Sequence, residues 1–538
     1  MTGRRTVLLG LDGATFTVLD PLMRNGVMPF LADFVSTGVR GDLQSVIPAL
    51  TPPAWTSLTT GRSPGHHGIF DFFCKESVGS HHIRIATARD VHAETIWTLA
   101  DRHGLRTTAL NFPLMFPAPR IRGCVVPGWM PWRQMRLGCH PPGLYDRLKK
   151  LPGFNARELA MDITPEAKPV QGMRPEEYEE WVVVHIRREQ QWGRILQTLM
   201  REEPSDLTAI VFDGVDRIQH LCWRYVTPPE DEPLSPAGER IRQRCLEYFR
   251  ELDRMLADVV ALAGPEATVV FASDHGFGPQ TGTFFANAWL EKRGHLAWAN
   301  ADVPRASEPE ALGIEQLARH SYLLDWEKTR AYAPTPSSNG VHIVRRGPEH
   351  PGGVGDDEYE GFRRRLADEL REATDPASGR RIVSRVWTRD EVFDGPFKSL
   401  AADLTLELAD GGLVSILASD TPFMSRTEMS GTHRRNGIFI ARGPGLERGV
   451  RLAGLSILDV APLLLHSLGL EIPAEMEGTL PAGAFDPASP LMPRARPARP
   501  AVAARPQAVA TPVTEEAFFT REDELALAQR LRDLGYID

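Results

Sequence analysis

The sequence predicts an α/β fold in which a mixed, mostly parallel sheet lies between layers of helices. Short apolar runs, typical of strands buried on both faces, alternate with longer segments of helical periodicity. Asp or His follows several of these runs directly, at the strand ends where open α/β sheets place their binding sites. A chain of 538 residues can form one large domain with insertions, or two or three domains.

The first half of the chain alternates strands and helices. Continuous apolar runs predict buried strands, and apolar residues three or four apart predict amphipathic helices. The predicted strands cover residues 6–11, 42–47, 106–111, 207–212 and 267–272. The predicted helices cover residues 19–38, 93–103, 177–203 and 239–263. Because the two kinds of element alternate, we expect these strands to lie mostly parallel in one sheet.

Elsewhere the pattern is more broken. Residues 124–175 are rich in Pro, Gly and Trp, which predicts loops lying over a site. Further strands are predicted at residues 329–332, 341–344, 402–408 and 437–441, and helices at 357–373, 456–468 and 515–534. The last two of these strands are expected to return to the main sheet.

These patterns divide the chain into five predicted parts. Residues 1–278 form the first part of the main, site-bearing domain, residues 279–400 an inserted lobe or cap, and residues 401–486 the return to the main domain. Residues 487–513, dominated by Pro, Ala and Arg, predict a flexible linker before a C-terminal helix at 514–538.

Charge and cysteine content exclude several classes of function. The net charge of -9 gives no general attraction to nucleic acid, so an anionic substrate needs local cations. The five cysteines include no C-x-x-C pair, which argues against a thiolate zinc site and favours a reducing compartment. The apolar run after the basic N-terminus stops at Asp12, too short for a signal peptide, and residues 457–470 are too short to span a bilayer. We therefore predict a cytoplasmic protein with no membrane contact, while its oligomeric state stays open.

Thr51 stands directly before two prolines at a predicted helix start. The amides and the positive dipole end of a helix start favour an anion such as a phosphate or an alkoxide. Thr51 is therefore a candidate nucleophile. The alternative is a helix cap, which is the commoner role of a Thr in this setting.

Aspartates and histidines recur at predicted strand ends, in four segments. They are Asp12, Asp216 with His220, Asp274 with His275, and His433. Carboxylate and imidazole ligands without thiolates suit Zn²⁺, with Mn²⁺ as a substitute, and two ions are needed to use them all. The spacing of four between Asp216 and His220 places both on one helix face. Asp213 either caps this turn or supports His220 as a hydrogen-bond partner.

The motifs around these residues resemble those of the alkaline phosphatase superfamily, and most closely its type I phosphodiesterase and nucleotide pyrophosphatase branch. The motifs that carry the resemblance are Leu11-Asp12-Gly13, Thr51-Pro52-Pro53, Thr60-Gly61, His67-Gly68-Ile69, Ala272-Ser273-Asp274-His275-Gly276 and Gly431-Thr432-His433. The similarity runs over roughly residues 5–485. The residues of these motifs are most similar to those of a bacterial subgroup of predicted phosphohydrolases or phosphomutases.

The resemblance implies an alkaline-phosphatase-like three-layer α/β/α sandwich and two bound metal ions. One ion is then held by Asp216, His220 and His433, and the other by Asp12, Asp274 and His275 with Thr51 as a bridge. The implied mechanism consists of two in-line displacements through a phosphothreonine at Thr51, which water then hydrolyses.

Two departures from related families limit the assignment. Nucleotide pyrophosphatases carry a phosphate-binding Asn after the His-Gly-Ile motif, whereas Phe72 occupies that position here. The candidates that could replace this donor are Asn111, Arg62, Arg434 and Arg435. The sulfatase pattern would need Cys or Ser at Thr51 and Arg at Trp55, so sulfate ester hydrolysis is disfavoured.

We therefore predict a two-metal hydrolase that cleaves a phosphodiester or phosphomonoester of a small metabolite or nucleotide. The alternatives are a phosphomutase or phosphotransferase of the same superfamily, and a non-catalytic metal-binding relative. Three aromatic residues between residues 124 and 175 either stack on a base or sugar or anchor their loops on the core. They are Trp129, Trp132 and Tyr145.

Overall fold

The structure is a computed structural model, and it describes residues 5–75, 80–160, 173–229, 231–300, 302–306, 320–425 and 430–492. The predicted C-terminal helix and the predicted linker after residue 492 lie outside the described residues. Every helix in the described part is too short or too polar for a transmembrane span.

The strands are numbered in chain order. They are β1 (Thr6–Leu11), β2 (Val39–Gln44), β3 (Phe73–Lys75), β4 (Ile83–Ile85), β5 (Thr107–Leu110), β6 (Gly123–Val126), β7 (Leu207–Phe212), β8 (Thr268–Ala272), β9 (Gly276–Pro279), β10 (Gly282–Phe285), β11 (Ala331–Tyr332), β12 (Gly340–Ile343), β13 (Val383–Thr388), β14 (Leu404–Leu408), β15 (Leu413–Ser415), β16 (Phe423–Ser425), β17 (Gly431–Arg434), β18 (Asn436–Arg442) and β19 (Val450–Ser456).

The α-helices are numbered in the same way. They are α1 (Phe16–Arg24), α2 (Pro29–Ser36), α3 (Thr51–Thr60), α4 (Pro64–His67), α5 (Ile96–Arg102), α6 (Met135–Gly138), α7 (Leu144–Leu148), α8 (Ala156–Ala160), α9 (Pro175–Glu202), α10 (Gly214–Val226), α11 (Pro236–Ala263), α12 (Ala286–Lys292), α13 (Tyr359–Arg371), α14 (Arg389–Val392) and α15 (Val460–Ser467).

The central sheet has eight strands in the order β19-β2-β18-β8-β1-β7-β5-β6. Only β18 runs antiparallel to its two neighbours in this sheet, and the other pairings are parallel. The prediction of a mixed, mostly parallel sheet is therefore confirmed. Strands β1 and β7 begin and end where the sequence predicts, because each is a six-residue apolar run buried along its whole length.

Helices cover both faces of this sheet. On β1, Val7, Leu9 and Leu11 belong to one hydrophobic cluster, together with residues of α9 and α11. Leu8, between them, belongs to a second cluster with residues of α3 and α15. Since successive side chains of a strand point to opposite faces, the two clusters are the two interfaces of a three-layer α/β/α sandwich.

Three predictions of local structure were wrong. The predicted helix at 19–38 is two helices, because the chain turns at Gly26, whose φ is 68°, and Pro29 begins a new helix that cannot continue the old one. The predicted strand at 42–47 is β2, three residues earlier, where it pairs with β18. In the described part of the predicted loops at 124–175, the structure has β6 and α6 to α8, which pack on the core rather than over the site, while residues 161–172 lie outside the described residues.

The segment after residue 279 builds smaller sheets around a separate hydrophobic cluster. One has the order β11-β12-β14-β13 and another the order β15-β10-β16. The predicted return of residues 402–408 to the main sheet was therefore wrong, because β14 pairs with β12 and β13. The cluster supports the proposal of an inserted lobe at residues 279–400, and it also takes in Leu50, Phe72 and Trp129 beside the site.

Candidate functional site

The predicted ligands converge because their strands are neighbours. Strands β8, β1 and β7 lie side by side and parallel, so Asp12 and Asp274, which follow β1 and β8, and helix α10, which follows β7, share one edge of the sheet. Strand β9 then pairs with β17 and brings His433 opposite Phe277, close to His275. The His275 and His433 rings stack with their centroids 3.6 Å apart.

Two groups of three potential ligands result, each with ligand atoms within 4.8 Å of one another. One consists of Asp216, His220 and His433, and the other of Asp12, Asp216 and His275. Asp216 lies between the groups, with its carboxylate oxygens 3.5 Å from His220 Nε2 and 3.4 Å from His433 Nε2. Asp274 Oδ2 lies 3.2 Å from His275 Nε2. All six side chains are thus brought together, while their role as ligands stays a prediction.

The three histidines present the same ring nitrogen to the centre of the cluster. Their Nδ1 atoms lie 3.1, 3.0 and 3.1 Å from the carbonyl oxygens of Gly431, Ala49 and Gly276, for His220, His433 and His275 respectively. Each Nδ1–H therefore donates to backbone, which leaves each Nε2 facing the cluster. The Nε2 atoms of His220 and His433 are 3.1 Å apart, close enough for both to bind one cation.

Protonation equilibria agree with a cation site. Burial lowers the pKa of His220 to about 4 and that of His275 well below its usual value, which keeps both imidazoles neutral. Burial raises the pKa of Asp274 to about 7, and burial with the Asp274 and Asp216 carboxylates raises the pKa of Asp12 well above its usual range. Within the described residues, Asp12 Oδ1 and Asp274 Oδ2 have no hydrogen-bond donor. A positive ion would compensate these buried oxygens.

Thr51 is fully buried at the first position of α3, and its Oγ1 lies 3.3 Å from His275 Nε2. The N-cap position belongs to Leu50, whose backbone is extended, so the alternative role of Thr51 as the capping residue was wrong. Pro52 and Pro53 carry no N–H, so the helix start offers an anion its dipole rather than the predicted row of amides.

Trp55 is a site residue that the sequence did not identify as such. It lies one turn after Thr51 in α3, and its Nε1–H donates to Asp12 Oδ2 at 3.3 Å. Its ring covers β1 at Gly10, where any Cβ would overlap with it. The signal in the sequence is the pair itself, a glycine within an otherwise apolar strand and a large aromatic residue four positions after the candidate nucleophile.

The carboxylate of Asp213 is the centre of a buried charge cluster with Arg188 and Arg217. We call these three residues the Asp213 clamp. Arg188 pairs with both carboxylate oxygens, and Arg217 Nη2 donates to Oδ2 at 2.9 Å. The hydrogen-bond partner of His220 is Gly431 instead, so the alternative that Asp213 supports His220 was wrong. The clamp fixes the start of α10, which carries Asp216 and His220.

His67 joins α3 to the turn that follows it. Ile69 N–H donates to His67 Nδ1 at 3.1 Å, so the Nε2–H of His67 donates to Ser57 Oγ at 2.8 Å. Burial lowers the pKa of His67 to about 3, while an unfolded His titrates near about 6.5.

This difference predicts a loss of stability in mild acid. The unfolded state binds the extra proton between about pH 6.5 and 3, so the contribution of His67 is complete above pH 6.5 and falls as the pH drops. From pH 7.5 to 5.5 the free energy of unfolding should fall by about 1.4 kcal/mol less in His67→Gln than in the wild type. Urea unfolding at the two pH values measures this, and equal losses in both proteins would contradict it.

A cavity of about 160 Å³ opens beside the cluster, lined by His220 and His433 on one side and by β13 and β14 on the other. Of the four predicted substrate-binding candidates, Arg434 and Arg435 line this cavity. Asn111 is buried beneath the site, where its Nδ2 donates to Val211 O at 2.8 Å. Arg62 lies beyond the C-terminal end of α3, 3.5 Å from Glu477. Their binding roles stay predictions, and the geometry favours Arg435.

Phe72 and the predicted aromatic residues lie in two places. Phe72 packs against Trp129, with ring centroids 6.2 Å apart, beside Pro52. Trp132 and Tyr145 pack on the main hydrophobic core. The anchoring alternative therefore describes Trp132 and Tyr145, and Trp129 stays near the site.

Sheet order, helix layers and the place of the polar cluster together make this an alkaline-phosphatase-like α/β protein. The family model of type I phosphodiesterase / nucleotide pyrophosphatase matches residues 6–436. The chain belongs to this family.

Two solved structures with TM-scores of 0.50 show the same fold at low sequence identity. An inactive form of murine ectonucleotide pyrophosphatase / phosphodiesterase 5 in complex with AMP is 13% identical, with a TM-score of 0.50 over 87% of this chain and 96% of that one. The human protein is 14% identical, with a TM-score of 0.50 over 88% and 97% of the two chains. Phosphonoacetate hydrolase from Sinorhizobium meliloti 1021 in complex with phosphonoformate is 17% identical, with a TM-score of 0.48 over 86% and 96%. No curated protein matched the chain.

Proposed function

We propose that the protein is a metal-dependent phosphoric ester hydrolase that acts on a small phosphorylated metabolite or nucleotide through a phosphothreonine at Thr51. The observation that carries the proposal is the position of Thr51 Oγ1 at the edge of the cluster, 3.3 Å from His275 Nε2. A buried hydroxyl beside converging carboxylates and neutral imidazoles suits a nucleophile activated by bound cations.

The residues fit two divalent ions, with Zn²⁺ preferred and Mn²⁺ as the substitute. The converging Nε2 atoms and the buried carboxylate oxygens without donors are the features that support this. We assign one ion to Asp216, His220 and His433, and the other to Asp12, Asp274 and His275 beside Thr51. Such ions lower the pKa of a bound hydroxyl and neutralise phosphoryl oxygens.

Residues of the protein carry out the remaining chemistry. Thr51 Oγ1 gives up its proton to solvent and forms a bond to phosphorus while the bond to the leaving oxygen breaks, and the leaving oxygen takes a proton from solvent. The oxygen of a water molecule then bonds to phosphorus and the phosphothreonine bond breaks. This step releases phosphate from a monoester substrate, or a phosphate monoester from a diester, and Thr51 Oγ1 takes back a proton. The dipole of α3 favours the negative charge that gathers at Thr51. Trp55 and Gly13 hold Asp12 and Asp274 through hydrogen bonds of 3.3 and 3.1 Å.

Metal removal tests the proposal in two ways. We expect chelated protein to hydrolyse neither p-nitrophenyl phosphate, nor its bis ester, nor a nucleoside diphosphate sugar, and expect Zn²⁺ or Mn²⁺ to restore activity on at least one of them. Since the ions bind only the folded state, a concentration 100 times the Kd should also stabilise it by about 2.7 kcal/mol, measured as a rise in Tm.

Two outcomes would favour the alternatives. Transfer of the phosphoryl group to an added alcohol, in place of release of phosphate, would assign a phosphotransferase. Protein purified without chelators that contains no zinc or manganese, and whose Tm does not respond to either, would indicate a non-catalytic relative.

A further inference from the structure

Arg435 is a half-buried cation with donors to spare. Its Nη2 reaches Ser45 O at 3.4 Å, the long limit of a hydrogen bond, and its buried Nε has no acceptor among the described residues. No carboxylate of the described chain lies within 4.0 Å of it. An arginine in this state is suited to an anion supplied from outside the chain.

The neighbouring arginine shows the contrast. Arg434 lines the same cavity, but its guanidinium donates to the backbone carbonyls of Thr432, His433 and Pro279. Those contacts brace the loop around β17. The guanidinium of Arg434 is therefore used in hydrogen bonds to the backbone, while Arg435 faces the cavity with unused donors.

Arg435 shares its cavity with two histidines of the cluster. His433 lies in β17, Arg435 follows the end of that strand, and both line the cavity together with His220. Thr51 is not among the residues that line it. In an in-line displacement the leaving oxygen points away from the attacking oxygen. A leaving group that extends from the cluster into this cavity would come within reach of the Arg435 guanidinium.

We propose that Arg435 binds a second anionic group, a carboxylate or a second phosphate, on the leaving alcohol. The substrate is then a small phosphorylated acid or a bisphosphate. This inference rests on the proposed function of the same site.

The surroundings of Arg435 limit how long the leaving group is. The cavity of about 160 Å³ is about half the lower end of the range for pockets that enclose drug-sized ligands. Beyond it, Arg435 also lines an outer groove together with Arg434, Glu407 and Asp42, and Glu407 lines the cavity as well. Because the groove carries two arginines and two carboxylates, its charge does not favour or disfavour an anion further out. The small volume of the cavity is what limits the leaving group, so we place the second charge at Arg435, a few bonds from the scissile phosphate.

Three small esters test the inference on zinc-loaded protein. Two of them, carboxymethyl phosphate and ethane-1,2-diyl bisphosphate, have an anionic leaving alcohol, and the control, 2-hydroxyethyl phosphate, has an uncharged one. We expect kcat/KM for at least one ester with an anionic leaving alcohol to exceed that for the control by about 10- to 100-fold. The ester with the higher kcat/KM identifies the preferred anion. Arg435→Gln should reduce this ratio to near unity, Arg435→Lys should restore part of it, and Arg434→Gln should leave the ratio unchanged.

Binding provides a second readout that does not need turnover. On a Thr51→Ala background, calorimetry with each of the two anionic esters should show, for at least one of them, affinity reduced by about 10-fold or more when Arg435 is also replaced by Gln. Equal kcat/KM values for all three esters would overturn the inference and leave the hydrolase intact. If none of the esters in either panel is hydrolysed, the proposed function fails, and an unchanged affinity in the Arg435→Gln protein then overturns the inference separately.

Discussion

Thr51→Ala protein is expected to lose turnover by on the order of 10³-fold or more while it keeps its metal. The substitution removes the only atom of the protein that bonds to phosphorus in the proposed mechanism. It removes none of the six carboxylate and imidazole side chains of the cluster, and Ala is compatible with the first turn of α3. Steady-state kinetics and metal analysis on the same preparation measure the two halves of this prediction.

A conservative variant separates the hydroxyl from the fold. Thr51→Ser keeps the nucleophilic oxygen and should retain measurable turnover and form a phosphoenzyme that mass spectrometry detects after acid quenching. Thr51→Ala should form none. If the alanine protein kept full activity, Thr51 would not be the nucleophile and the scheme would be wrong.

The parts of the fold that the sequence predicts well are those set by local pattern. Strands β1 and β7 are continuous apolar runs bounded by polar residues, so their limits are visible in the chain itself. Strand β14 instead alternates apolar residues with Thr405 and the exposed Glu407, which indicates a strand that is not buried on both faces. Its partners β12 and β13 lie elsewhere in the sequence, and the alternation does not identify them.

The site follows the same division. Asp12, Asp216 and Asp274 are predictable because each follows an apolar strand or opens the helix after one. The position of Asp216 between the two groups of ligands is not predictable, because the sequence does not give strand order. Once β8, β1 and β7 are neighbours, at the spacing of about 4.8 Å typical of sheets, Asp216 comes within reach of both groups of ligands.

The Asp213 clamp depends on contacts between residues far apart in the sequence, although it leaves a trace there. Arg188 lies between Trp181 and Trp192 on the buried face of α9, where the helical pattern calls for an apolar side chain. A charged residue at such a position predicts a buried partner without naming it. The structure supplies Asp213, 25 residues further along the chain.

Breaking the Asp213 clamp should have the largest effect on stability. The side chains of Arg188 and Arg217 are fully buried, so Asp213→Ala leaves two cations without their carboxylate. Removing one partner of a buried ion pair costs about 3–5 kcal/mol. Burial, with the Asp213 charge, raises the pKa of the adjacent Glu189 to about 8, so at pH 7 that carboxyl is largely protonated and replaces the lost charge only by releasing its proton. Denaturant unfolding of the metal-free protein measures the loss.

A surface aspartate provides the matched control. Asp33 lies 3.5 Å from Arg442, but the two side chains are 70% and 36% exposed, so Asp33→Ala should cost about 0–1 kcal/mol. Because Asp213 also fixes the start of α10, its substitution should weaken zinc binding by about 10- to 100-fold, through Asp216 and His220. A loss of stability equal to that of the control, or unchanged zinc affinity in folded Asp213→Ala protein, would show that the Asp213 clamp does not position these ligands.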